Sequence, residues 1–151
     1  MAELNSSDVL NRVLARVYRS LMQYAIDCWP WSRFTDTAAT LPPEQQAIEQ
    51  MTKKQQEFAA RLVELITSRG DVVDFGSFPD NSELHYVSLD YLLGKLTGDE
   101  QELIAELHSA LSALGRDAEA TALVSELLAV ETQNVVRLRE LSRSVSATVA
   151  A

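Results

Sequence analysis

Four stretches of apolar residues spaced three and four apart constrain this chain most. That spacing lays one apolar face along an α-helix and does not fit a half-buried strand, whose period is two. The first stripe is Leu10, Val13, Leu14, Val17, Leu21, Tyr24 and Cys28, with Ser6 or Ser7 placed to cap it. Trp29-Pro30-Trp31 closes it, because the residue before a proline avoids the α region. Pro42 and Pro43 suit the first turn of a second helix, whose stripe is Ile48, Met51, Gln55, Phe58, Leu62 and Leu65, and Gly70 is a fitting stop. The third starts near Ser82 or Ser88 and reaches Leu114, with Gly94 and Gly98 inside it. Gly115-Arg116-Asp117 makes a turn, Asp117 caps the fourth helix, and the small residues after Ser142 form a fraying tail. The spacing predicts helices over about 8–28, 43–69, 83–114 and 117–142, with ends good to a few residues.

The connections set the topology. Asp71 to Glu83 carries Gly, Pro, Asn and Ser and reads as a loop. A connection of that length between two helices of a bundle crosses along its flank and leaves the joined helices parallel. The expected fold is all-α: one domain over residues 1–151, a four-helix bundle with a long crossover between the second and third helices.

Composition narrows the partners. The 151 residues are 46% apolar with only five glycines and four prolines, which suits a chain with a real core. A net charge of −9 argues against a nucleic-acid surface, which needs clustered Lys and Arg. No apolar run is long enough to span a membrane, and the polar start from Met1 to Asp8 has no signal-peptide h-region. Cys28 is the sole cysteine, so no internal disulfide forms, in keeping with a reducing, cytoplasmic setting. Its expected role is that of a small buried apolar side chain, while Trp29 and Trp31 are expected to close the core. His85 and His108 match no ligand spacing and read as ordinary surface or core-edge residues.

Two residues break the pattern. Glu100 lies among Leu89, Leu93, Leu96, Ile104, Leu107 and Leu111, all within about 40° of it on a helical wheel. Glu131 lies likewise among Val124, Leu127, Val135 and Leu138. A buried charge costs several kcal/mol unless it is paired, protonated or metal-bound. Facing helices that each turn a Glu inward supply half of a carboxylate di-iron site, whose full recipe is one Glu from each of two helices and Glu-x-x-His from each of the other two.

At these residues the chain resembles the ferritin-like superfamily, in the manner of bacterioferritin and rubrerythrin. Leu10-Asn11-Arg12-Val13-Leu14 with Gln23-Tyr24 is similar to the first bacterioferritin helix, LNxxLxxE followed by QY. Leu128-Ala129-Val130-Glu131-Thr132-Gln133-Asn134, running into Leu138, resembles its last helix, LxxExxHxxxL. Lys54-Gln55-Gln56-Glu57 falls about where that family carries ExxH, and Glu100 falls on the single Glu of the third helix if the turn near Gly115 differs in length by a couple of residues.

The departures from the family pattern are all at ligands. The resemblance puts Val17 at a terminal Glu, Lys54 at a bridging Glu, Glu57 at a His and Asn134 at the second His. Only Glu100 and Glu131 remain as the family has them. The resemblance therefore implies a degenerate centre. On the wheel Lys54 lies near Ala47, Phe58 and Leu65, so it is expected to turn inward and pair with Glu100 or Glu131, with Asn134 hydrogen-bonded to one of them. No metal, cofactor or catalytic residue is expected; if a metal does bind, iron at Glu57, Glu100 and Glu131 is the alternative. The implied function is that of a non-catalytic ferritin-like protein kept for a structural or interaction role, as a homo-oligomer and first of all a dimer. The competing readings are a ferroxidase with an unusual carboxylate-rich site and a plain helical interaction module whose likeness to ferritins is convergent.

Overall fold

A computed structural model describes residues 5–27, 42–77, 79–84 and 87–150, all of them helix, turn or loop with no strand. The described residues form five α-helices: α1 (Ser6–Tyr18), α2 (Leu21–Asp27), α3 (Pro43–Ser68), α4 (Leu89–Leu114) and α5 (Ala118–Ala150). One 3-10 turn, Ser82–Leu84, precedes α4. Cys28, Trp29, Trp31, His85 and the loop Ser32 to Leu41 lie outside the described residues.

The helices begin and end for local reasons. Asn5, rather than Ser6 or Ser7, caps α1: its side-chain oxygen accepts from the Ser7 N–H at 3.2 Å. Pro43 opens α3 from the position where a missing N–H costs nothing, and Gly70 ends it in a left-handed conformation at φ 77°. Asp117 caps α5 by accepting from the Ala120 N–H and also holds both guanidinium nitrogens of Arg69, at 2.6 and 2.9 Å. Those Arg69 bonds keep the Asp117 carboxyl well below its ordinary range.

Two predicted helices differ from those observed. The first is broken at Arg19–Ser20. There the Ser20 backbone and hydroxyl take the N–H of Gln23, and Asp99 of α4 accepts from the Leu21 N–H at 3.0 Å and from Arg16 at 2.8 Å. A serine that starts a new helix and an acid that serves the freed N–H make the break cheap. The last helix does not fray after Ser142. Val145 is buried, and Ser146 donates to Asp90 of α4, so packing against α4 carries α5 onward.

The core has two apolar clusters. One joins α1 (Val9 to Val17) to the end of α3 (Phe58 to Ile66), the end of α4 (Leu103 to Leu114) and the start of α5 (Ala120 to Leu127). The other joins α2 (Met22, Ala25) to the start of α3 (Ala47 to Met51), Leu84, the start of α4 (Leu92 to Leu96) and the far part of α5 (Leu138 to Val145). Both α3 and α4 therefore run from the second cluster into the first, and α5 runs the other way. The segment after α3 is strapped to α1: Asn11 donates to the Val72 carbonyl and accepts from the Asp74 N–H, and Ser7 donates to Asp71.

Candidate functional site

Between the two apolar clusters lies a layer of polar side chains, and Gln55 is its centre. Gln55, Glu100 and Glu131 are 0%, 1% and 0% exposed. The Gln55 carboxamide oxygen accepts from Ser20 Oγ at 2.8 Å and from Gln23 Nε2 at 3.0 Å. Two donors on that oxygen fix which way the amide points. Its nitrogen is thereby aimed at the carboxyls, donating to Glu100 Oε1 at 2.9 Å and to Glu131 Oε1 and Oε2 at 3.1 and 3.3 Å. Asn134 Nδ2 adds a bond to Glu131 Oε2 at 3.2 Å.

One atom of the layer is left over. Glu100 Oε2 is buried and accepts no N–H or O–H donor among the described residues. The Glu100 carboxyl is pushed up to about 11, first by burial, then by the hydrogen bond and charge of Glu131 and the charge of Asp99, with the Gln55 bond pulling the other way. At neutral pH it is a neutral acid. Its proton belongs on Oε2, the oxygen that Gln55 does not serve. The pair thus holds at most one negative charge, and a shared proton together with four amide contacts stands where a cation is usually required.

The layer reaches the surface on two sides. At the α1–α2 break a cleft of about 530 Å3 has Gln55, Ser20 and Gln23 in its wall. A shallower hollow of about 380 Å3, between α3 and α5, includes Asn134, Lys54 and Arg137. Neither of the two is lined by Glu100 or Glu131.

The expected inward Lys54 is corrected. Its side chain is 52% exposed, its Nζ lies 3.4 Å from Glu57 one turn along α3, and it sits 5.8 Å over the Phe58 ring. Glu57, at 65% exposed, is turned outward with it and does not join Glu100 and Glu131. One residue along a helix is a rotation of about 100°. The wheel sets Lys54 near Ala47, Phe58 and Leu65, at the edge of the inner face, whereas Gln55 stands within the apolar stripe itself. With Gln55 as the inward residue, Phe58 takes the position one turn on, and Val17 of α1 is fully buried in the apolar cluster. His108 is exposed, away from the layer.

These residues do not fit a pair of irons. Against the di-iron recipe the layer offers two carboxyls and two side-chain amides, Gln55 and Asn134. Val17 and Phe58 offer no lone pair, and the Gln55 amide turns N–H donors toward the oxygens a metal needs. Among the described residues no group of three His, Cys, Asp or Glu is placed to hold a metal ion. Sequence reasoning missed the role of Gln55 and its anchors Ser20 and Gln23, and that of Asp99 at the α1–α2 break. The available signal was a glutamine in the middle of an apolar stripe, the same kind of signal that exposed Glu100 and Glu131. No family model matches the chain, and no curated protein or solved structure is similar enough to it to count as a match.

Proposed function

We propose that this chain is a ferritin-like bundle whose di-iron centre has been replaced by a hydrogen-bonded polar layer, and that it serves a non-catalytic, structural or interaction role in the cytoplasm. The observation that carries this is the Gln55 amide bridging Glu100 and Glu131. It uses the carboxylate oxygens that iron would need and supplies donors in place of positive charge. The parallel run of α3 and α4 between the same two clusters, with residues 69–88 joining their opposite ends, supports the long crossover of such a bundle. No helix among the described residues is long and apolar enough to cross a membrane.

On this reading the protein has kept the scaffold for association with itself, first of all as a dimer. The activity test is direct. Purified protein given Fe(II) and oxygen is expected to oxidise iron no faster than buffer and to retain no stoichiometric iron. Rapid oxidation with two irons bound per chain overturns the reading and promotes the ferroxidase alternative. Light scattering on the same sample gives the oligomeric state, and a monomer at all concentrations removes the association role.

A further inference from the structure

The strap that follows α3 is held to α1 from Ser7 to Arg19. Ser7 donates to Asp71, and Asn11 clamps the backbone on both sides, donating to the Val72 carbonyl and accepting from the Asp74 N–H. Further along, the Phe75 ring meets that of Tyr18, 4.7 Å between centroids. The fit is tightest at Gly76. Its backbone is left-handed, φ 67°, and a side-chain carbon there would run into the Arg19 guanidinium. Asp74 closes this turn by accepting from the Gly76 N–H at 2.8 Å.

A segment fixed this firmly is expected to bury its apolar side chains, and this one presents them. Five large apolar side chains are exposed among the described residues, and three of them, Tyr18, Val72 and Phe75, belong to the strap and the end of α1, at 43, 83 and 40%. The other two, Tyr91 and Val136, lie on α4 and α5. Scattered apolar side chains are ordinary on a surface, whereas ones gathered on a rigid backbone mark a contact site. The clamps also leave little ordering to be done on binding. The surroundings are acidic. Asp71 and Asp74 lie in the strap, Asp8 stands one turn before Asn11, and Asp80 lies between Pro79 and Asn81, which face the same cleft as Tyr18. Against these four acids the strap covers one arginine, Arg19, and no Lys or Arg occurs from Asp71 to Leu84.

We propose that the strap and the end of α1 form a docking surface for a basic segment of another protein, one that carries apolar side chains between its lysines or arginines. Charge decides among the occupants. A two-fold contact sets the same patch against itself, so a second copy seated here would bring its own acids against these. An anionic membrane or a nucleic acid is repelled by the patch and by the net charge of −9. A basic segment is drawn in by the acids and rests its apolar side chains on Val72, Phe75 and Tyr18. Val72 and Phe75 are at most about 11 Å apart along the strap, so the contact is small and belongs to the weak, transient class. It goes beyond self-association and does not depend on the bundle being ferritin-like.

Nuclear magnetic resonance titration of the isotope-labelled full chain tests it, with a short synthetic peptide of alternating lysine and leucine as probe. A peptide of equal charge with serine in place of leucine is the control. Saturable shifts confined to amides of α1 and the strap are expected, with binding weaker on the order of tenfold in Phe75→Ser and in Val72→Ser. Neither variant changes the net charge, and the urea midpoint of Val72→Ser should match wild type because that side chain is the most exposed of the three. Asp74→Asn keeps the acceptor for Gly76 and should weaken binding through charge alone. No saturable shift at millimolar peptide overturns the proposal, as do shifts spread over the whole acidic surface, equal affinity for the lysine–serine peptide, or undiminished binding in both serine variants. A wild-type dimer that Phe75→Ser dissociates, with no peptide bound, also overturns it and gives the patch to a second copy.

Discussion

Replacing Glu100 by glutamine should change how stability depends on pH more than it changes stability itself. In the folded chain Glu100 holds its proton up to about 11, against an ordinary value of 4.5. A raised folded value means that the stabilising contribution is fully present below the unfolded value and drains away as pH rises toward the folded one. Between pH 5 and 7 the folded chain keeps one proton that the unfolded chain gives up. The slope is about 1.4 kcal/mol per pH unit for one proton, so wild type should lose roughly 2–3 kcal/mol over that interval from this group alone. The size rests only on Glu100 staying protonated past pH 7, not on the last unit of its shift. Glu100→Gln keeps the shape, puts an N–H donor where the acid proton sits and has nothing to titrate. Urea unfolding of both proteins at pH 5 and pH 7, followed by circular dichroism, isolates the term, because every other carboxylate is common to the two. The variant should be at least as stable as wild type at neutral pH, with its advantage shrinking by roughly 2–3 kcal/mol at pH 5. Parallel pH dependences would show that Glu100 is ionised in the folded chain and would refute the shared proton.

Two further substitutions separate the inner and outer faces of α3. Gln55→Leu removes the donor to both carboxyls and the acceptor of Ser20 and Gln23, so a loss on the order of 3–5 kcal/mol is expected in urea unfolding; a loss under about 1 kcal/mol would mean that water enters the layer. Lys54→Ala breaks only an exposed pair with Glu57 and an edge contact with Phe58, and should cost less than about 1 kcal/mol. A cost near that of Gln55→Leu would return Lys54 to the core and reopen the motif register.

The bundle was legible because its information is periodic. Each stripe repeats over several turns, so a helix survives an error at one position, and the ends of α3 and α4 fell close to Pro43, Gly70 and Gly115. The break at Ser20 was not legible. It depends on Asp99, 79 positions away, accepting the Leu21 N–H, and nothing local to Arg19–Ser20 reveals that. The site was half legible. Glu100 and Glu131 announced themselves as charges on apolar stripes, and both are buried. The partner was misplaced by one residue because Lys54 lies near Ala47, Phe58 and Leu65 on the wheel, at the edge of the apolar face, and the edge was read as the inside. Ile48, Met51, Gln55, Phe58 and Leu62 form one face, and Lys54 lies about 80° from its centre and about 40° beyond Phe58 at its edge.

The polar layer also bears on why such a bundle keeps buried acids at all. Apolar residues of matching volume in place of a buried polar cluster are often neutral or stabilising, so the cluster is weak grounds for high stability. What it supplies is position. Gln55 meets its two carboxyls only when α3, α4 and α5 stand in one register, and its oxygen meets Ser20 and Gln23 only when the chain breaks between α1 and α2. Sliding one helix by a turn would bury several unpaired polar groups together, whereas the leucine-rich clusters on either side would tolerate the slip. A metal centre imposes the same discipline through its ligands. The Gln55 amide set between the Glu100 and Glu131 carboxyls imposes it through hydrogen bonds.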